Sequence, residues 1–148
     1  MTKSKIVLWI AFAYLMGSCE CGVNPSPSFS IAYLFYRNSK SEDLLDANTQ
    51  GHFDRNAITI TSNGKTGTPE GGKILAGTGY IQMGFPEGYF VNLPLVATKT
   101  DIIISLNSTI SDTLSYAYSG NKLITCIYNK RNVLPANAAI QFPVVIIK

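Results

Sequence analysis

The chain has 148 residues, a formal net charge of +3 and only 14% charged residues, a length that fits one ordinary domain. Three cysteines are too few for a disulfide scaffold. Once Lys3 and Lys5 are set aside with the leader described next, 10 basic residues face 9 acidic ones, and nucleic acid is excluded as a partner because no cluster of cations is available for phosphates.

The first 18 residues read as a secretory leader. Lys3 and Lys5 precede an apolar run over residues 6–16, and Gly17 and Ser18 stand before Cys19. The run is about half of the roughly 20 residues that a membrane span requires. Leu15-Met16-Gly17-Ser18-Cys19 resembles the bacterial lipobox, with Met16 where leucine is commoner. That resemblance implies cleavage before Cys19, diacylglycerol on its sulfur and an acylated new N-terminus. The plainer readings are a cleaved leader with Cys19 an ordinary cysteine, or a short core helix. Several buried acyl chains, at about 0.8 kcal/mol per CH₂, hold a protein durably on a bilayer. Residues 19–28 form a tether, in which Pro25 and Pro27 favour an extended, unpaired chain. The domain is expected to occupy residues 29–148.

From Phe29 onward the pattern is of short strands separated by turn chemistry, without a helical period. Residues 29–36 form a nearly continuous apolar and aromatic strand. Residues 37–55 form a polar loop whose only large apolar pair is Leu44-Leu45. That pair is read as a plug for the core edge, while Asp43 and Asp46 cap nearby backbone N–H groups. A strand over 57–61 leads to the turn Asn63-Gly64-Lys65. Residues 66–77, rich in Gly and Thr, are expected to be a loop. Strands are predicted over 80–85 and 89–96, and Pro94 places the end of the second on an edge or at a bulge. Further strands follow over 101–106, 113–118 and 122–128, the last two joined by a two-residue hairpin at Gly120-Asn121. Residues 129–138 read as a loop, and residues 140–147 as the last strand, with Pro143 marking a candidate edge. The class is all-β: an antiparallel, immunoglobulin-like β-sandwich of seven to eight strands, with a small closed barrel as the rival.

The stretch Asp43-Leu44-Leu45-Asp46-Ala47-Asn48-Thr49-Gln50-Gly51, followed by Phe53-Asp54 and Ile58-Thr59-Ile60, resembles a segment that recurs in small lipoproteins of the Bacteroidota. The Tyr-containing hairpin and the short strand near a proline between residues 116 and 148 resemble the ends of those proteins too. The resemblance implies a sandwich-like envelope domain of unassigned chemistry, and it transfers no role to His52.

No cofactor motif emerges. Asp43, Asp46 and Asp54 are calcium candidates, with Glu42 and Asn48 nearby, although their spacing is not that of an EF-hand loop. The sole histidine, His52, lacks triad or zinc partners at a defined spacing. The glycine-rich stretch 64–79 opens no helix and so makes no phosphate cradle. Cys126, in a strand, is expected to act as a small buried hydrophobe, although a pair with Cys21 stays open in an oxidising envelope. Phe85, Tyr89 and Phe90 flank Pro86-Glu87-Gly88 and are candidate stacking residues for a glycan or an envelope protein. Asp112-Thr113-Leu114 resembles the Bacteroidota O-glycosylation motif, which makes Thr113 a candidate acceptor; Asn107-Ser108-Thr109 fits only the eukaryotic pattern.

Two functional readings follow. The first is a non-enzymatic binding or structural module, lipid-anchored through Cys19 in the bacterial envelope. Its expected location is the outer membrane, facing the periplasm, because Glu20 alone supplies acidity after the lipidated cysteine. The second is an envelope enzyme or enzyme-inhibitor domain acting on glycans, which requires two carboxylates across a cleft. Fibre assembly by strand exchange would need an open edge at the first or last strand.

Overall fold

The computed structural model describes residues 29–96, 100–120, 122–136 and 140–148. The predicted leader, the lipidation site Cys19, and the tether with Cys21 lie outside the described residues. In chain order the described elements are β1 (Phe29–Arg37), β2 (Thr59–Ser62), β3 (Lys65–Gly67), β4 (Gly71–Ile74), a single helical turn α1 (Gly79–Gln82), β5 (Gly88–Val96), β6 (Thr100–Ser105), β7 (Ser111–Ser119), β8 (Lys122–Tyr128), β9 (Arg131–Asn132) and β10 (Gln141–Ile147).

The strands form two sheets, ordered β10-β1-β5-β4 and β3-β2-β6-β7-β8-β9. The all-β sandwich is the architecture the sequence predicts, with ten strands among the described residues where seven or eight are expected. One pairing departs from the antiparallel expectation: β1 and β10 run parallel, Ile31 opposite Gln141 and Arg37 opposite Ile147.

Period-two alternation builds the interior. Ala32, Leu34 and Tyr36 of β1 point inward beside Val91, Leu93 and Leu95 of β5. They meet Ile102 and Ile104 of β6 and Leu114 and Tyr116 of β7 from the other sheet. On β8 the inward residues are Leu123, Cys126 and Tyr128, which breaks strict alternation. The register shifts there: Tyr118 faces Leu123 but Ala117 faces Thr125, so Ile124 is the extra residue of a bulge.

The other face of β1 is covered as well, which is why its sequence is apolar at nearly every position. Tyr33 and Phe35 pack with Ile74 and Phe85 in a second buried cluster on the outer side of the four-stranded sheet. The segment after β4 supplies this cover and corrects two expectations. Residues 80–85 are not a strand; α1 and the turn after it satisfy their backbone locally, with the N–H groups of Met83 and Phe85 each donating to the Tyr80 carbonyl at 3.1 Å. This geometry places Tyr80 and Phe85 on the same cluster, with their ring centroids 5.5 Å apart. Residues 66–77 are not wholly loop, since they hold the end of β3 and all of β4. Glycine permits that strand: a Cβ on Gly71 would lie 2.5 Å from the Phe90 carbonyl oxygen. Likewise the predicted loop 129–138 contains the two residues of β9, after a turn at Asn129 and Lys130.

The polar loop between β1 and β2 is pinned at one point. Leu44 and Leu45 are both buried in the main core, as the plug reading requires. Asp43 accepts hydrogen bonds from the N–H of Leu45 at 3.0 Å and the N–H of Tyr89 at 2.7 Å, with the Arg37 guanidinium 3.8 Å away. The Asn63-Gly64 turn closes β2 onto β3 with both residues at positive φ, Ser62 facing Lys65.

Candidate functional site

The strongest concentration of buried polar chemistry lies where β7, β8 and β10 meet. The alternation that turns Leu114 and Tyr116 inward also turns Asp112 inward, and it is 2% exposed. Tyr128 on β8 and Tyr36 at the end of β1 reach the same point. The Tyr128 hydroxyl donates to Asp112 Oδ2. The Tyr36 hydroxyl stands 3.1 Å from the Tyr128 oxygen and therefore donates to it, since the Tyr128 proton is already committed. Asp112 Oδ1 takes the Asn129 amide at 2.6 Å and the Lys148 ammonium at 2.5 Å. Asn129 adopts positive φ in the turn between β8 and β9, and its Oδ1 accepts the N–H of Thr113 at 2.8 Å. Burial raises the pKa of both tyrosines; for Tyr128 the neighbouring Tyr36 adds to it.

A groove of about 380 Å³ runs beside this network, between β10 and the β8–β9 turn, lined by Tyr128, Arg131, Val133, Pro143, Val145 and Ile147 among others. A second, more apolar recess at the start of β10 is lined by Met83, Phe85, Pro135, Ile140, Phe142 and Pro143. Among the described residues β10 is an edge strand. The Ile140 carbonyl accepts from the N–H of Ile31, so the backbone of alternate residues beginning with Gln141, Pro143 included, faces the open side. Large apolar side chains are exposed here: Ile140 at 67%, Val145 at 48%, Ile147 at 59%, and nearby Met83 at 63%.

The residues singled out from sequence are placed differently. Phe85 is 4% exposed inside the outer cluster, where it makes an edge contact with Tyr33 at 5.1 Å, so it is not an exposed tip. Phe90 packs on Tyr33 and Phe35 at 5.0 and 5.9 Å. Tyr89 is half-buried, its ring engaged by the Arg55 guanidinium at 3.9 Å and the Lys73 ammonium at 4.7 Å. The calcium candidates do not converge. Asp43 binds β5, while Asp46 and Asp54 each cap their own turns by accepting the N–H groups of Asn48 and Asn56. Hydrogen bonds from Asn48 hold the Asp46 carboxyl below its ordinary pKa, the backbone N–H first. Among the described residues no group of three or more His, Cys, Asp or Glu side chains is placed to hold a metal ion. His52 is exposed, with Nδ1 3.1 Å from the Thr49 carbonyl. Cys126 is buried as a free thiol, pushed up to about 11 by desolvation. Thr113 is exposed, but the Asp112 of its predicted glycosylation motif is consumed by the buried network.

Sequence reasoning missed Asp112, Tyr128 and Lys148 as a unit. The available signal was the parity of Asp112, an acid on the inward register of an otherwise apolar strand face. Comparison of the chain with protein-family models, with curated proteins and with solved structures finds no match.

Proposed function

We propose that this chain is a lipid-anchored cell-envelope protein whose sandwich is a non-enzymatic binding or structural module. Cys19 carries the lipid, residues 19–28 space the domain from the bilayer, and the outer membrane, with the domain facing the periplasm, is its location. The lipobox resemblance of residues 15–19 and the Bacteroidota-like stretch 43–60 support the address. The partner is an extended segment of another envelope protein, added beside β10. The observation that carries this reading is the concentration of open backbone edge and exposed Ile140, Val145 and Ile147 on one strand. The disposition of carboxylates supports a binding module over a glycan-acting enzyme. Asp43, Asp46, Asp54 and Asp112 are each spent on a loop or on the buried network.

Two measurements test it. In cells fed a clickable fatty acid, the wild type takes up label and sediments with membranes, whereas Cys19→Ala does neither; label retained on Cys19→Ala overturns the anchor. Detergent-solubilised wild type migrates as a complex larger than one chain, and Val145→Asp combined with Ile147→Asp migrates as a single chain with an unchanged melting temperature. Unaltered migration of the double variant overturns the β10 contact.

A further inference from the structure

We propose that Lys148 and Asp112 are the two halves of an intramolecular amide cross-link that joins the end of β10 to β7 in the opposite sheet. The Lys148 ammonium is in direct contact with Asp112 Oδ1, which brings the end of β10 onto a carboxylate of the opposite sheet. The acid side chain is 2% exposed while that of Lys148 keeps 23%, so it is the carboxylate that bears a desolvation penalty which neutralisation removes. The donors around the acid are those that acyl substitution needs. Tyr128 donates to Oδ2, Tyr36 stands behind Tyr128, and Asn129 holds Oδ1.

The step balances within the pair. A proton moves from the Lys148 ammonium to Asp112 Oδ1, leaving a neutral amine and a neutral acid. The nitrogen lone pair attacks Cγ and forms the Nζ–Cγ bond, while the carbonyl electron pair moves onto Oδ2. The Tyr128 hydroxyl stabilises that developing oxyanion, in the manner of a preorganised donor in a water-poor site. The pair returns, the Cγ–Oδ1 bond breaks, and Oδ1 departs with its proton and a second from nitrogen as water. Of the three ammonium hydrogens, one stays on the amide and two leave in the water. No oxidant, metal or outside reactant enters, because the fold holds the groups in contact. The bond would fasten an edge strand whose ladder partner among the described residues is β1 alone, tying it across the sandwich.

Peptide mapping of the full-length protein purified from its native membrane tests the inference. Trypsin, cutting after Lys99, Lys122 and Arg131, isolates Asp112 in residues 100–122 and Lys148 in residues 132–148. The expected product is one branched species, lighter than the two peptides together by one water, about 18 Da. It should be absent from Lys148→Arg, whose guanidinium keeps the cation without a competent amine. Recovery of the two peptides only as separate species from the native protein overturns the cross-link and leaves an ordinary ion pair. A joined species persisting in Lys148→Arg overturns the assignment to Lys148. Should the variant fail to accumulate, the map of the native chain still decides.

Discussion

Leu45→Ala is the sharpest test of how the polar loop between β1 and β2 is held. Leu45 is 1% exposed and sits in the main core, although the chain around it is hydrophilic. Truncating a buried leucine costs about 2–5 kcal/mol, depending on how far the site collapses. Here collapse is restrained. The N–H of Leu44 donates to the Tyr36 carbonyl at 2.9 Å, that of Phe53 donates to the Leu44 carbonyl at 2.7 Å, and Asp43 ties the segment to β5. We therefore expect a loss of about 3 kcal/mol, and a fall of about 12 °C in Tm for a domain of this size. Urea unfolding measures it, with the midpoint falling and the slope m unchanged if the denatured state is unaffected. Leu75→Ala is the control: that leucine is also in a connecting segment but is 55% exposed, so its loss stays within about 0.5 kcal/mol. A Leu45→Ala loss equally small would refute the plug and with it the reasoning that the loop is anchored. A cycle with Asp43→Ala should show coupling of about 0.5–3 kcal/mol, because both residues pin the same turn.

Other expectations concern separate parts of the fold. Gly88→Ala should destabilise strongly in thermal melts, since φ is +123° and a Cβ would stand 2.4 Å from Asp43 Oδ2 and 2.6 Å from Arg37 Nη2. Phe85→Ala, rather than weakening binding at an exposed tip, should cost about 3–5 kcal/mol of stability as a core truncation, read by urea unfolding. Tyr128→Phe leaves Asp112 Oδ2 and the Tyr36 hydroxyl without their partner and should cost about 1–3 kcal/mol by the same measurement. Above pH 9 the protein should weaken. Folding raises the Cys126 thiol from 9.0 to about 11, so the native state binds the extra proton; that stability is whole below pH 9 and is lost as the pH rises toward 11. Cys126→Ala should flatten the melting-temperature profile between pH 9 and 10, below the range where the buried Tyr36 and Tyr128, raised from 10.0, add their own loss, and the wild-type thiol should resist a disulfide reagent until the chain unfolds.

Much of this architecture is legible from residue order, wherever a local rule governs. The unbroken apolar run of β1 reports burial on both faces, the Asn63-Gly64 pair reports a tight turn, and the isolated Leu44-Leu45 reports a buried anchor. What stays hidden is what depends on distant chain. β4 is a strand because two glycines let it approach Phe90, and glycine-rich sequence reads locally as loop. Residues 80–85 carry strand-like apolar content, yet no strand is there to pair with them, and one turn of helix satisfies their backbone instead. Phe85 beside a Pro-Glu-Gly turn reads as exposed, but the turn folds its ring onto Tyr33. The parallel pairing of β1 with β10 brings together segments more than 100 residues apart, with no intervening signal to announce it.

The same distance explains why the polar network sits where it does. Among the described residues β10 pairs only with β1, in the parallel pattern whose slanted bonds are slightly less stable per residue than antiparallel ones. Its inward residues Phe142, Val144 and Ile146 hold it by burial and set which face points inward, but burial alone does not forbid a slip by two residues. Directional bonds at its far end do. The N–H of Lys148 donates to the Arg37 carbonyl at 2.8 Å, and the side chain of Lys148 engages Asp112 on β7. A slip by one residue would turn Phe142 and Ile146 outward and withdraw Lys148 from Asp112, so core and network select the same register. Tyr36 and Tyr128 join that selection because each is inward on its own strand, Tyr128 donating to Asp112 and Tyr36 to Tyr128. A buried acid bonded to Tyr128, Asn129 and Lys148 thus sets where the outermost strand stops. The open side of that strand, with Pro143 at its middle and Val145 and Ile147 on its outer face, is thereby held in a fixed frame.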